Sequence, residues 1–248
     1  MDISQLLDKH GHGILCFSAG KDSLACLQLL RPHLDRVTLV WVDAGASDPE
    51  TLAYMRKVAE SVPHFHTVHG HQPQVVEQFG WPADVVPARG TLAGSYGAGP
   101  RPVMFQPYTD CCARSMWEPL SSFIRTCGTD LVILGQRKQE ALRNRLRDEV
   151  LQVIGGVTYF QPLNDWDSDE VWQYLEASGL ELPPFYAEGA ESSVDCWNCT
   201  AYLDHNQSRF HRMRETDPER FAPVARVLTE LQLQLRADVA PLDNLLRT

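Results

Sequence analysis

The sequence lacks any apolar run long enough to span a bilayer, and its opening, MDISQLLDKHGHG, lacks the basic stretch and apolar core of a secretory leader. Both absences predict a cytoplasmic protein with no membrane partner. Internal repeats, low-complexity tracts and an obvious interdomain linker are missing too. Positive charge is in short supply: 22 Lys and Arg against 32 Asp and Glu give a formal net charge of −10 over 248 residues. A negative field of that sign repels nucleic acid, so a nucleic-acid substrate is disfavoured unless a local basic patch overrides it. Cysteine is sparse. Seven residues in a chain this long are too few and too clustered for a disulfide scaffold.

What is present is ordinary for a globular protein, with 44% hydrophobic and 22% charged residues. The apolar runs GILCFS (13–18), RVTLVWVDAG (36–45), HFHTVHG (64–70) and DLVILGQR (130–137) read as strands. Helical spacing covers 22–34, 48–62 with Asp48 as N-cap and Pro49 at the first position, and 167–179 with an Asp cap and a Gly stop. Strands that are apolar throughout and alternate with helices predict an α/β fold. It is a Rossmann-like, doubly wound parallel sheet with helices on both faces. Residues 87–110 read as a long Gly- and Pro-rich loop, 180–206 as irregular, and the chain from Ser208 as helical. The expected organisation is an α/β domain over 1–207 that carries the candidate site and the clustered cysteines. A helical C-terminal tail over 208–248 packs on the same domain.

The stretch Ser18-Ala19-Gly20-Lys21-Asp22-Ser23 sits where the first strand feeds the first long helix. A helix N-terminus offers unpaired amides and the positive end of the dipole, which together receive an anion. Gly20 lets the backbone bend and approach closely, Lys21 adds a point charge, Ser18 and Ser23 supply hydroxyls, and Asp22 is a candidate magnesium ligand. The spacing is not that of GxxxxGK[ST]. The plain alternative is a helix capped by Asp22 or Ser23. Position at the carboxyl end of a strand favours the anion site.

These residues resemble the SGGxDS pyrophosphate loop of the ATP pyrophosphatases, with Ala19 in place of the second glycine. Four further segments, in order, are similar to the phosphoadenylylsulfate and adenylylsulfate reductases of the same superfamily, the adenine nucleotide alpha hydrolase-like proteins. They are VDAGASDPET (42–51), ILGQRKQEALRNR (133–145), QPLNDWDSDEVWQYL (161–175) and LPPFYAEGAESSVDCWNCT (182–200). The resemblance covers roughly residues 10 to 205. It implies an adenine nucleotide, with Asp43 at the end of the second strand near the adenosine. Gly135 and Arg137 should face the crevice. Arg143 and Arg145 would reach the substrate's anionic end, since guanidinium forks match sulfate and phosphate oxygens.

Cys111 and Cys112 are adjacent, and Cys196 and Cys199 form a Cys-x-x-Cys. Four thiolates suit zinc or an iron–sulfur cluster. Adjacent cysteines on one tetrahedral ion would be strained, whereas a cluster offers separate corners. The resemblance adds that cluster-bearing adenylylsulfate reductases carry the same arrangement. A [4Fe–4S] cluster is therefore expected, with zinc as the second choice and a buried Cys pair plus an oxidisable turn as the third. Cys16, Cys26 and Cys127 read as core residues. The histidines at 64, 66, 69 and 71 have no accompanying carboxylate cluster, so a metal site there is not expected.

The resemblance breaks at the C-terminus, in the loop at Lys21 and Asp22, and after the double Cys, where Arg114 and Trp117 stand in the neighbourhood of the family's lysine. The reductases attack sulfur with a cysteine in a C-terminal Glu-Cys-Gly-Leu-His stretch, and this sequence has no cysteine after Cys199. Lys21 and Asp22 fit the ATP-splitting relatives better. The expectation is thus an enzyme that cleaves ATP with magnesium at the α–β bond and adenylylates a substrate for sulfur chemistry, Lys21, Asp22 and Arg137 being catalytic. The first alternative is a reductase of adenylylsulfate or phosphoadenylylsulfate that borrows a thiol from a thioredoxin-like or sulfur-donor partner. The second is a non-catalytic nucleotide-binding subunit. A homo-oligomer stays open.

Overall fold

The structure is a computed structural model that describes residues 3–99, 103–140, 149–187, 193 and 195–246. In chain order the strands are β1 Gly13–Cys16, β2 Val37–Asp43, β3 Phe65–His69, β4 Trp81–Ala83, β5 Phe105–Pro107, β6 Leu131–Leu134, β7 Leu151–Ile154 and β8 Val157–Phe160. The first six helices are α1 Ile3–His10, α2 Lys21–Leu29, α3 Pro49–Ser61, α4 Gln72–Phe79, α5 Leu92–Ala98 and α6 Tyr108–Cys112. They are followed by α7 Glu118–Thr126, α8 Ser168–Ser178, α9 Pro184–Ala187, α10 Leu203–Thr216 and α11 Pro218–Leu246. The chain forms two compact units. One holds Met1–Asp43, Ser47–His69 and Leu120–Asp195; the other holds Ala44–Ala46, Gly70–Pro119 and Cys196–Thr248.

The first unit is built on a six-stranded sheet of order β3-β2-β1-β6-β8-β7, parallel except for the edge strand β7. The period of two along each strand sorts side chains onto two cores. Leu15, Leu39, Trp41, Leu131 and Ile133 point to one face, where they meet Leu6, Leu24, Met55, Val171 and Leu175 from α1, α2, α3 and α8. Ile14, Val40 and Val132 point to the other face and meet Ile124 of α7. Each fully buried aliphatic side chain contributes about 1.5–3 kcal/mol. Helices therefore cover both faces, and the doubly wound sheet read from the sequence is the fold observed.

Local signals set the helix ends. Asp48 caps α3, its Oδ1 accepting from the Glu50 amide at 3.2 Å, with Pro49 behind it. Asp167 opens α8 through a reciprocal capping box with Glu170, both bonds at 2.8 Å, and Gly179 closes that helix in the left-handed region. The sequence read 22–34 as one helix. The chain instead stops α2 at Leu29 and continues as a tighter turn over Arg31–Arg36, because Pro32 has no amide to extend the helix. The presumed loop at 87–110 also holds structure. Thr91 caps α5 by accepting from the Gly94 amide at 2.9 Å, and β5 and α6 follow.

The second unit pairs β4 with β5 in parallel and packs them against α11 through Ala83, Phe105, Val227 and Leu231. Its α6 runs on into a π-helical turn over Ala113–Trp117, immediately after the two adjacent cysteines. Among the described residues no helix is long and apolar enough to cross a membrane.

In the sheet, the chain moves outward from β1 to β3 and then returns to the other side of β1 with β6. That reversal opens a crevice at the carboxyl ends of β1 and β6, where doubly wound sheets bind ligands. Gly135, just past β6, lies so close to α2 that a Cβ would fall 2.8 Å from the Asp22 carbonyl carbon and the Ser23 nitrogen. Gly135→Ala must push backbone from backbone. It is expected to cost about 1–3 kcal/mol, read as a lowered urea midpoint with an unchanged slope.

Candidate functional site

The loop between β1 and α2 turns through Ala19, which is buried and left-handed at φ 58°. For a residue with a Cβ this costs roughly 1–2 kcal/mol and is tolerated where the surroundings hold it. The sequence reading gave the bend to Gly20. The structure gives it to Ala19 and leaves Gly20 extended at φ −68°, ψ 152°. A Cβ at Gly20 would lie 2.9 Å from the Ser193 hydroxyl and 3.2 Å from that of Ser18, so those hydroxyls would have to turn aside to admit it.

Hydroxyls surround the helix start. Ser23 Oγ donates to the Gly20 carbonyl at 2.9 Å and receives the Ser18 amide at 3.2 Å. The Gly20 amide donates to Ser18 Oγ at 3.3 Å. The Lys21 amide donates to the Tyr186 hydroxyl at 2.6 Å. Burial pushes the Tyr186 phenol well above its usual range, so it stays protonated and its own proton is directed elsewhere. Tyr186 and Ser193 were missed as site residues. Both lie in a segment that carries the family resemblance, but nothing in its local pattern places these two side chains beside the loop.

The charges form a chain. Lys21 Nζ lies 2.9 Å from Asp22 Oδ2, and Arg137 Nε lies 2.6 Å from Asp22 Oδ1. The Lys21, Asp22 and Arg137 side chains are 12%, 15% and 6% exposed, so the low dielectric keeps these contacts strong. Two cations share one carboxylate, and the group carries a net positive charge beside the α2 amides. The structure thus brings together Ser18, Ala19, Gly20, Lys21, Asp22, Ser23, Gly135 and Arg137. Asp43 ends the neighbouring strand β2 and accepts from Ser47 Oγ at 2.9 Å. Arg143 and Arg145 lie outside the described residues.

The four candidate ligand cysteines all belong to the second unit. Ser115 donates to the Cys111 carbonyl inside the π-helical turn. The Cys-x-x-Cys closes on itself, the Cys199 amide donating to the Cys196 carbonyl at 3.2 Å. Arg209 of α10 fixes this turn. Its Nη1 donates to the carbonyls of Cys196 at 3.0 Å and Trp197 at 2.8 Å, and its Nη2 to that of Cys199 at 3.1 Å. The Arg220 guanidinium stacks 4.5 Å from the Trp197 ring centre. Behind the turn, buried Gln72 donates to Asn198 Oδ1 at 3.1 Å. Arg209, Arg220 and Gln72 escaped the sequence reading because their roles are set only by tertiary contact.

Burial pushes the Cys111 thiol up to about 11, with the charge on Cys199 adding to the rise and Ser115 and Arg114 opposing it. A ligand thiol in that state must lose its proton as it binds metal. No disulfide forms between any of the cysteines. Among the described residues, no three His, Cys, Asp or Glu side chains are grouped as metal ligands. The chemistry of the donor set is that of an iron–sulfur group, four thiols of which Cys196 and Cys199 pack in one small cluster. Of the cysteines expected in the core, Cys26 is fully buried, whereas Cys16 and Cys127 are half-buried. His66 stacks on Phe123 at 4.3 Å and His64 meets His12 edge-on at 5.7 Å.

A mostly parallel sheet with an electropositive helix start at its switch point defines a doubly wound α/β protein with a place for an anion. Within that class, the chain belongs to the phosphoadenosine phosphosulfate reductase domain family, which it matches over residues 12–202. It is 24% identical over 206 residues to the adenosine 5'-phosphosulfate reductase of Neisseria meningitidis serogroup B, covering 80% of this chain and 75% of that one. A shorter stretch of 91 residues is 32% identical to the adenosine 5'-phosphosulfate reductase of Burkholderia cepacia, spanning 36% of this chain and only 35% of the relative. In fold it is similar to the phosphoadenylyl-sulfate reductase of Candida auris, solved as a phosphate complex. The TM-score is 0.51 at 19% identity, over 74% of this chain and 81% of that one.

Arg209→Met leaves three carbonyls without their guanidinium. The expected loss is about 2 kcal/mol, measured as a lowered denaturation midpoint. Faster alkylation of the buried Cys196 should accompany it, and Arg209→Lys should recover part of both.

Proposed function

We propose that the chain binds a sulfonucleotide of the adenylylsulfate type and releases sulfite from it with electrons from an external thiol. The observation that carries this reading is the state of Asp22. Both of its oxygens are taken by cations, Oδ1 by Arg137 and Oδ2 by Lys21. A carboxylate neutralised twice is a poor magnesium ligand, and a magnesium-bridged pyrophosphate needs one to be available. A sulfated nucleotide tail needs only amides and cations. The relatives named above, adenylylsulfate and phosphoadenylylsulfate reductases, support the same choice.

In this reading, the tail sits at the start of α2, with Lys21 and Arg137 drawing charge from its oxygens. A thiolate from the partner attacks the sulfo sulfur. The bond from that sulfur to the bridging oxygen breaks, and the electron pair leaves with the nucleoside monophosphate. A second thiol of the same dithiol partner then attacks the sulfur of the thiosulfonate that carries the carbon chain. Sulfite leaves and the partner becomes a disulfide, so two electrons pass from two thiols to sulfur. This sequence has no cysteine after Cys199, and the attacking thiol is assigned to a thioredoxin-like partner. Arg137 and the hydroxyls of Tyr186 and Ser193 orient the tail for in-line attack.

Cys111, Cys112, Cys196 and Cys199 would hold a [4Fe–4S] cluster, one thiolate to each iron, which when bound would supply a polarisable, redox-capable iron–sulfur group with no open iron position. Zinc on the same thiols is the second choice.

The ATP-cleaving reading has one observation of its own, the lysine at the loop, and the same assay separates the two. Adenylylsulfate or phosphoadenylylsulfate with a dithiol should give sulfite, while ATP with magnesium should give no pyrophosphate. Pyrophosphate without sulfite would overturn the proposal in favour of adenylylation. Nucleotide binding with neither product would reduce the chain to a binding subunit. Lys21→Ala should weaken sulfonucleotide binding about 10- to 100-fold, seen by calorimetry, with no change in iron content. After anaerobic purification, iron and acid-labile sulfide should be present, and Cys196→Ser should remove them. Unchanged iron in that variant would take Cys196 out of the ligand set.

A further inference from the structure

Helix α11 spans Pro218–Leu246, but its buried residues stop early. Val224, Val227, Leu231 and Gln234 are buried, Leu235 packs against the β4–β5 core, and Asp238 accepts from the Ala88 amide at 2.7 Å. From Val239 to Leu246 every residue is exposed. These last turns are not polar. Val239, Leu242, Leu245 and Leu246 are 47%, 59%, 70% and 83% exposed.

Leu235, Val239, Leu242 and Leu246 follow one another at intervals of 4, 3 and 4, the a/d spacing of a two-helix seam. On one flank of that seam stand Arg236 and Asp243, one heptad apart in equivalent positions; on the other flank stands Asp238. Pro241 points away from the seam, where the missing amide and the ring do not obstruct a partner helix. We propose that this stretch of α11 pairs antiparallel with the same stretch of a second copy.

Charge chooses the occupant and the direction. In an antiparallel pair the flank bearing Arg236 and Asp243 faces its own counterpart, so Arg236 of each copy meets Asp243 of the other. Twofold symmetry repeats the pair, as an isologous contact requires. In a parallel pair Asp238 of one helix would face Asp243 of the other, and like charges would oppose association. The seam is self-complementary without any other protein. It is only two heptads long, so the dimer is expected to be weak and dependent on concentration. The proposal is independent of what binds at α2.

Sedimentation velocity on the full chain tests it, over a roughly hundredfold range of concentration extending well above micromolar. The wild-type chain should shift from the mass of one copy to that of two. Leu242→Asp should stay at one, with an unaltered circular-dichroism spectrum and melting temperature, since Leu242 makes no core contact. Arg236→Asp and Asp243→Arg should each weaken self-association at least about tenfold, and the two together should restore it. A wild-type chain that stays monomeric throughout overturns the proposal and leaves the stripe to another partner. A dimer that survives Leu242→Asp places the interface elsewhere. Should Leu242→Asp fail to fold, the charge exchange decides alone: single variants that weaken association without rescue by the combination overturn the antiparallel pairing.

Discussion

The closeness of two backbones at the reversal of the sheet governs the candidate site. Where β6 ends, Gly135 presents only hydrogen to the start of α2. That contact brings the next turn of chain near enough for Arg137 to reach Asp22, which in turn steadies Lys21. The cations are thus held in place before any ligand arrives. Preorganised charge of this kind costs little reorganisation when an anion binds. The strain carried by Ala19 belongs to the same arrangement, because a left-handed alanine persists only where its neighbours leave it no alternative.

Much of this was legible in the residues. The apolar runs at 13–18, 36–45 and 130–137 read as interior strands, and Asp48, Asp167 and Gly179 mark helix ends by chemistry that acts within a few residues. The turn at 18–23 was placed for the same reason, since a strand end and a helix start are set locally. What stayed hidden depends on distant partners. Tyr186 meets Lys21 across 165 positions of sequence, and no periodicity encodes that. Asp22 reads from sequence as a metal ligand and turns out to be clasped by Arg137, 115 residues away. The bend expected at Gly20 falls on Ala19 instead, and a side chain at 20 would meet the Ser193 hydroxyl rather than a backbone strained by positive φ.

The thiol-bearing unit shows the same division. Two cysteine pairs are plain in the sequence, but the π-helical turn after Cys112 and the three carbonyls gathered by Arg209 are not. An extra residue in a helical turn redirects the side chains that follow it, and such turns recur at functional sites. A guanidinium that donates to three carbonyls of the Cys-x-x-Cys segment fixes the backbone from which two of the thiols project. Both devices set the backbone around the thiols without themselves being ligands.

The two units are interleaved along the chain, which passes between them after residues 43, 46, 69, 119 and 195. No single cut releases either one intact. A protein wired this way has to assemble from segments remote in sequence, which slows folding and leaves partly formed intermediates exposed while the ribosome is still supplying the final third. Splitting the chain to obtain a minimal fragment would therefore yield incomplete cores, and shuffling it with relatives would succeed only where all five crossings are exchanged together.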